Sequence, residues 1–225
     1  MSELFLVRHA QASYGTDDYD RLSGLGHRQA RWLGEYFRER GLTFDRVVCG
    51  DMQRHRETAA GIFSGLRREP GDHHTDPDWN EFDFETLIRA FLEKHPQETP
   101  EPGAPVQSFT RVLRRSLIAW AEDRLEAALP ERWTEFEERV QRGLLAATAD
   151  GGGQRVLVVS SGGAISMALR QVLAAPASAM VQMNLQLRNS SISHLFVNAG
   201  GVHFSGFNHI PHLDHPERAD SVTYY

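Results

Sequence analysis

The chain has little cysteine and almost no lysine: Cys49 and Lys94 stand alone among 225 residues. A single cysteine excludes an intramolecular disulfide and is neutral about compartment. With one lysine, 23 of the 24 basic residues are arginines, so any phosphate clamp must be built from guanidinium groups. No apolar run approaches the roughly 18 to 20 residues needed to span a bilayer. The N-terminus lacks a basic region followed by a long apolar one, so no signal peptide is read there and a cytoplasmic protein is expected. Positive charge is not in excess either. A formal net charge of −6 argues against nucleic acid or an anionic membrane as the main partner. No internal repeat or low-complexity segment is present. What remains is a composition ordinary for a globular protein, long enough for one domain, or for one domain with a substantial insert.

The pattern along the chain alternates as an α/β protein should. Residues 4–7 (Leu-Phe-Leu-Val) are an apolar run of strand length. Residues 26–40 carry Ala30, Leu33 and Phe37 at helical spacing, with Gly41 where a C-terminal cap would fall. A short strand is expected at 46–49, a helix at 52–63, and the clearest buried strand at 155–160, framed by glycines. A helix at about 164–173 follows, then strands at 180–187, 191–197 and 202–207. The middle differs. A helical stretch at 84–94, a linker at 95–105 with four prolines, and helical stretches at about 109–129 and 132–149 give an apolar face to bury.

The strand at 4–7 delivers Arg8 and His9 at its carboxyl end. A cation beside an imidazole at the tip of a buried strand calls for a partner, and an anionic ligand beyond the strand ends of an open α/β sheet would supply one. The pieces that follow keep a recognisable order. The segment Leu6-Val7-Arg8-His9-Ala10-Gln11-Ala12-Ser13 resembles the signature of the histidine phosphatase superfamily, with its phosphoglycerate-mutase-like fold; Ala10 takes the place of the usual glycine. Leu22-Ser23-x-x-Gly26-x-x-Gln29-Ala30 is similar to the family's first helix entry, residues 49–59 to its second phosphate-arginine segment, and Asn80-Glu81-Phe82 to the stretch bearing its acid/base carboxylate. The likeness resumes at 156–167 and again at Asn208 and His212-Leu213.

The resemblance implies a single α/β domain over residues 1–225: a three-layer α/β/α fold with a mostly parallel central sheet and a helical insert at about 83–150 over the active site. It implies a phosphatase hydrolysing a small phosphomonoester, of the histidine acid phosphatase type. His9 would be the nucleophile, since neutral imidazole attacks well near its usual pKa of about 6.5, and a backbone carbonyl would fix its tautomer. Arg8 and Arg54 would grip the phosphoryl oxygens through planar, permanently charged guanidinium groups. Glu81 would be the proton donor, its pKa raised by Trp79, Phe82 and Phe84. The scheme requires no metal and no cofactor; His73-His74 and His209-x-x-His212 are the weak candidates for metal spacing. The expected partner is a small phosphorylated substrate, with no nucleic acid and no membrane. The oligomeric state is left open, a homodimer included.

Three departures bear on activity. Ser161 stands where the family places a second pocket histidine, and is expected to bind phosphate with a hydroxyl that brings no charge. Restoring histidine there is expected to raise activity or phosphate affinity by up to about tenfold. Gly15 replaces a frequent asparagine. Arg114-Arg115-Ser116 superficially resembles an arginine pair that mutases use for a substrate carboxylate, without its proline-rich continuation. Either His55, or His209 or His212, could stand in for the missing imidazole. Two other readings therefore stay open: a catalytically weak phospho-ligand-binding pseudo-enzyme and, third, a phosphoglycerate mutase.

Overall fold

The computed structural model describes residues 1–13, 20–69, 73–125, 128–149 and 152–224. Its centre is a six-stranded mixed sheet in the order β3-β2-β4-β1-β5-β6. The strands are β1 (Ser2–Arg8), β2 (Arg46–Cys49), β3 (His74–Thr75), β4 (Arg155–Ser160), β5 (Ile192–Asn198) and β6 (Gly201–His209). The first four by spatial order run parallel, with β4 between β1 and β2; β5 and β6 close the far edge antiparallel.

Alternation along each strand sorts side chains into two cores. Leu4 and Leu6 of β1, Val48 of β2 and Val156 and Val158 of β4 face one layer of helices. Their neighbours Phe5, Val7, Val47, Cys49, Leu157 and Val159 face the other. Burial on both faces explains why these strands read as continuous apolar runs. The second core is closed by α1 (Gly24–Glu39) and α2 (Gln53–Leu66) through Leu33, Phe37, Ile62 and Phe63. The first is closed by α3 (Phe84–Lys94), α4 (Val106–Ala121), α5 (Trp133–Thr148), α6 (Gly162–Val172) and α7 (Ala177–Gln186). The result is the three-layer arrangement expected.

Local signals set most boundaries. Ser23 caps α1, its hydroxyl accepting from the Gly26 amide at 3.0 Å, and Gly41 takes the left-handed conformation (φ +63°) just beyond its end. Asp83 caps α3 through the Thr86 amide at 2.9 Å. The helix expected at 109–129 begins earlier, after Pro105, and stops at Ala121, followed by a left-handed Asp123 (φ +51°).

One element differs in kind. Residues 180–187, expected as a strand, form α7 and its cap. Met183 to Leu187 alternate apolar and polar, which is strand-like, but Met180 and Val181 bury together with Leu187 at a spacing that one helix face also satisfies. A short window cannot separate the two periods, and Pro176 followed by Ala-Ser-Ala favours the helix. Among the described residues no helix is long and apolar enough to cross a membrane.

Candidate active site

The carboxyl ends of β1 and β4 lie side by side, Arg8 opposite Ser160. Just past them the His9 amide donates to the Ser160 carbonyl at 2.8 Å. The His9 carbonyl accepts from the Ser190 amide at 3.2 Å and from Asn189 Nδ2 at 3.3 Å. The His9 backbone is therefore held on two sides. Its Nδ1 lies 2.8 Å from the Ala10 carbonyl oxygen. A carbonyl can only accept, so Nδ1 carries the hydrogen and Nε2 keeps the lone pair. Burial, followed by Arg54, Arg8 and His55, pushes the His9 pKa well below the usual histidine value. The ring is neutral near pH 7, as a nucleophile requires.

Arg54 sits in the first turn of α2 and is 3% exposed. Its Nη1 meets Asp20 Oδ1 at 2.7 Å, and Asp20 Oδ2 also accepts the Gln53 amide at 2.8 Å, capping the helix from outside the sequence window of a local cap. Thr58, one turn on, bonds the Arg54 carbonyl at 2.7 Å and accepts the Ala10 amide at 3.0 Å, which ties α2 to the loop after β1. Arg8 donates through Nη1 to the Leu187 carbonyl. Asn208 holds that turn, accepting the Arg188 amide at 2.8 Å and donating to the Gln186 carbonyl at 2.7 Å.

Glu81 reaches the same place from the loop before α3. Trp79 in that loop is fully buried, and its carbonyl accepts from Ser160 Oγ at 2.6 Å. Arg139 of α5 donates to the Asn80 carbonyl at 2.8 Å, and Phe82 is packed among Trp120 and Phe136 with ring centroids 5.2 and 5.5 Å away. Glu81 Oε2 accepts the Gly163 amide at 3.1 Å. A Cβ on Gly163 would stand 2.1 Å from Glu81 Oε1 and 2.4 Å from Phe82, so the glycine is needed for α6 to come this close. Burial raises the Glu81 pKa, opposed by the Gly163 amide and by Arg54 and Arg8.

Arg8, His9, Arg54 and Glu81 line one cavity of about 70 Å³, together with Phe82, Phe84, Phe109, Leu113, Asn184, Leu185 and Tyr224. The other candidates fall elsewhere. Arg114 and Arg115 are exposed and outside that lining, and Arg115 pairs with Glu98 at 2.8 Å. His209 borders a separate cleft of about 550 Å³ beside Phe5 and His194. Gly15 and the segment around it lie outside the described residues. Among the described residues no three of His, Cys, Asp or Glu gather as metal ligands would.

His212 sits one layer below the site, its Nε2 2.8 Å from Ser190 Oγ. Burial, then Arg218, pushes its pKa down to about 3. The folded protein keeps this ring neutral while the unfolded chain protonates it near 6.5, so the unfolded state binds more protons below that pH. Stability should fall as pH drops from 6.5 toward 3, with His212 contributing about 2 kcal/mol of the loss by pH 5. Urea midpoints at pH 7 and pH 5 measure this. His212→Gln should narrow the gap between them, and an unchanged gap would show that His212 titrates normally.

Ser161 is fully buried and does not border the cavity; its hydroxyl lies 2.7 Å from His55 Nε2. His55, also fully buried, stands with its ring centroid 5.9 Å from that of His9. An imidazole thus does lie beside the end of β4, but α2 carries it. The gain expected from Ser161→His meets an obstacle, because His55 already fills the space. The single variant should lose about 1–3 kcal/mol from overpacking. The double variant His55→Ala with Ser161→His should recover most of that loss. Thermal unfolding of the two decides it, and equal destabilisation would mean the two side chains do not share the space.

Sequence reasoning missed several parts of this site. Asp20 is far from Arg54 in sequence and gave no local signal. Thr58 could have been found from its Arg-x-x-x-Thr spacing, which places a hydroxyl on the carbonyl one turn back. Asn184 was hidden by the strand reading of its segment.

Known proteins resemble this chain in sequence and in fold. The chain is 28% identical over 229 residues to a protein of Enterobacter sp. (strain 638) named as a probable phosphoglycerate mutase, covering 96% of this chain and 97% of that one. It is 29% identical over 186 residues to the adenosylcobalamin/alpha-ribazole phosphatase of Salmonella typhi, covering 79% and 82%. The fold matches a phosphoserine phosphatase of Entamoeba histolytica at a TM-score of 0.68 and 18% identity, over 95% of this chain and all of that one. It matches a phosphoglycerate mutase of Bacillus anthracis at a TM-score of 0.66 and 17% identity, over 94% of each. The family's own pattern runs from residue 4 to residue 210, and the chain belongs to the histidine phosphatase superfamily, branch 1.

Proposed function

We propose that the protein is a metal-independent phosphatase that hydrolyses a small phosphomonoester through a phosphohistidine on His9, a histidine acid phosphatase-type reaction. The observation that carries this reading is the His9 ring: neutral, pinned at Nδ1 and flanked by Arg8 and Arg54. The two guanidinium groups bind the phosphoryl oxygens, and Nε2 attacks phosphorus. Glu81, whose pKa burial raises toward that of a proton donor, gives its proton to the leaving oxygen, and the alcohol departs. The Glu81 carboxylate then takes a proton from water as that water attacks the phosphohistidine, releasing inorganic phosphate and freeing Nε2. Fixed positive charge aimed at the transferring oxygens supplies the electrostatic stabilisation such a step needs. In this reading the helical segment at about 83–150 is the wall of the pocket, through Phe84, Phe109 and Leu113.

The burial of Ser161, with its hydroxyl turned to His55, favours a second reading: a phospho-ligand-binding protein with negligible turnover. A third, phosphoglycerate mutase, is disfavoured by the outward placement of Arg114 and Arg115. A screen of phosphomonoesters on the purified protein, with and without chelator, separates them. Hydrolysis unaffected by chelator supports the phosphatase; tight binding without release of phosphate supports the second reading.

A further inference from the structure

The lining of the cavity is of two chemical kinds: Arg8, His9, Arg54 and Glu81 bring ionisable groups, whereas Phe84, Phe109, Leu113 and Leu185 are apolar, with Asn184 and Tyr224 adding uncharged polar atoms. Among the described lining residues the only cations are Arg8 and Arg54, and both are taken up by the phosphoryl group in the proposed reaction. A carboxylate on the leaving group would be buried against this wall without a counter-charge, which is costly, whereas an apolar group gains by leaving water. The wall is also held in place. Leu113 is 8% exposed, and α4 packs into the main core through Val112, Leu117 and Trp120.

We infer that the preferred substrate carries an uncharged, apolar or aromatic alcohol as its leaving group and that Phe109 and Leu113 select it against phosphorylated carboxylates. This rests on the phosphatase reading above. The selection works by difference: both substrate types offer the same phosphoryl group to Arg8 and Arg54, and only the wall distinguishes them.

The test compares phenethyl phosphate with phosphoserine and 3-phosphoglycerate, all primary alkyl phosphates, so that leaving-group reactivity is similar. The expected kcat/KM for phenethyl phosphate is at least about tenfold higher. Phe109→Ser should erase most of that preference. Leu113→Arg should shift it toward the carboxylates. Equal or better turnover of phosphoserine or phosphoglycerate by the unmodified protein overturns the inference. So does a preference untouched in both variants. Calorimetric binding of phenylpropyl phosphonate and aminophosphonobutanoate, which cannot be hydrolysed, runs alongside. If nothing is turned over but the phenyl compound binds at least tenfold tighter, the phosphatase reading fails and the inference on the wall stands. Equal binding sinks the inference by itself.

Discussion

Replacing His9 with alanine is expected to lower the hydrolysis of an aryl phosphate by at least about 10³-fold, since among the described residues lining the pocket no other carries an imidazole. The fold should survive. His9 is 4% exposed, but its backbone bonds to Ser160, Ser190 and Asn189 need no imidazole. The loss should therefore appear in kcat, with inorganic phosphate still bound by Arg8 and Arg54. Chelator should leave the rate of the unmodified protein as it was. Activity that persists in His9→Ala, or that disappears with chelator, would point to a different nucleophile or to a metal.

The second large effect concerns Glu81. Substitution by glutamine keeps the shape and the bond from Gly163 but removes the transferable proton. Alkyl phosphates, whose leaving oxygen needs that proton, should slow by about 10² to 10⁴-fold. A p-nitrophenyl phosphate departs readily without it, so its first-turnover release of p-nitrophenol should slow by less than about tenfold, while the later hydrolysis of the phosphohistidine, which uses Glu81 as base, slows for both substrates. The pH dependence carries a second signature. Glu81 must be protonated to act, so alkyl phosphate turnover should decline as pH rises through its raised pKa. His9 must be neutral, and its lowered pKa keeps it so well into acid. The active window lies between these limits, and its alkaline limb should vanish in Glu81→Gln. Equal slowing of alcohol release from both substrate types in the first turnover, with the limb intact, would leave Glu81 as a structural carboxylate only.

How far the sequence reached follows from the kind of signal each part carries. The strands at 4–7, 46–49 and 155–160 were legible because burial on both faces leaves an uninterrupted apolar run between polar or glycine boundaries. The helix at 84–94 was read with its observed bounds, and the structure adds that Asp83 caps it. The segment 180–187 was not, because five residues of alternating pattern fit a strand and a helix equally well, and only packing of Met180 and Val181 decides. Within the site, the Arg8-His9 pair, Arg54 and Glu81 could be named because short motifs surround each. What could not be read was how they are held: Asp20 on Arg54, Asn208 behind the Leu187 carbonyl, and Gly163 against Glu81 are all long-range pairings. The fate of Ser161 belongs to the same class. Its partner His55 is next to Arg54 in sequence, yet nothing local says that its ring turns toward β4.

The most direct measurement is rapid alkaline quench of the protein with a reactive phosphomonoester, followed by mass spectrometry of the peptide containing His9 under neutral or alkaline conditions. A phosphoryl group on His9, stable in alkali, labile in acid, and accumulating further in Glu81→Gln, is the predicted result. Steady turnover with no phosphoryl group on His9 at any quench time, or with the group on another residue, would contradict it.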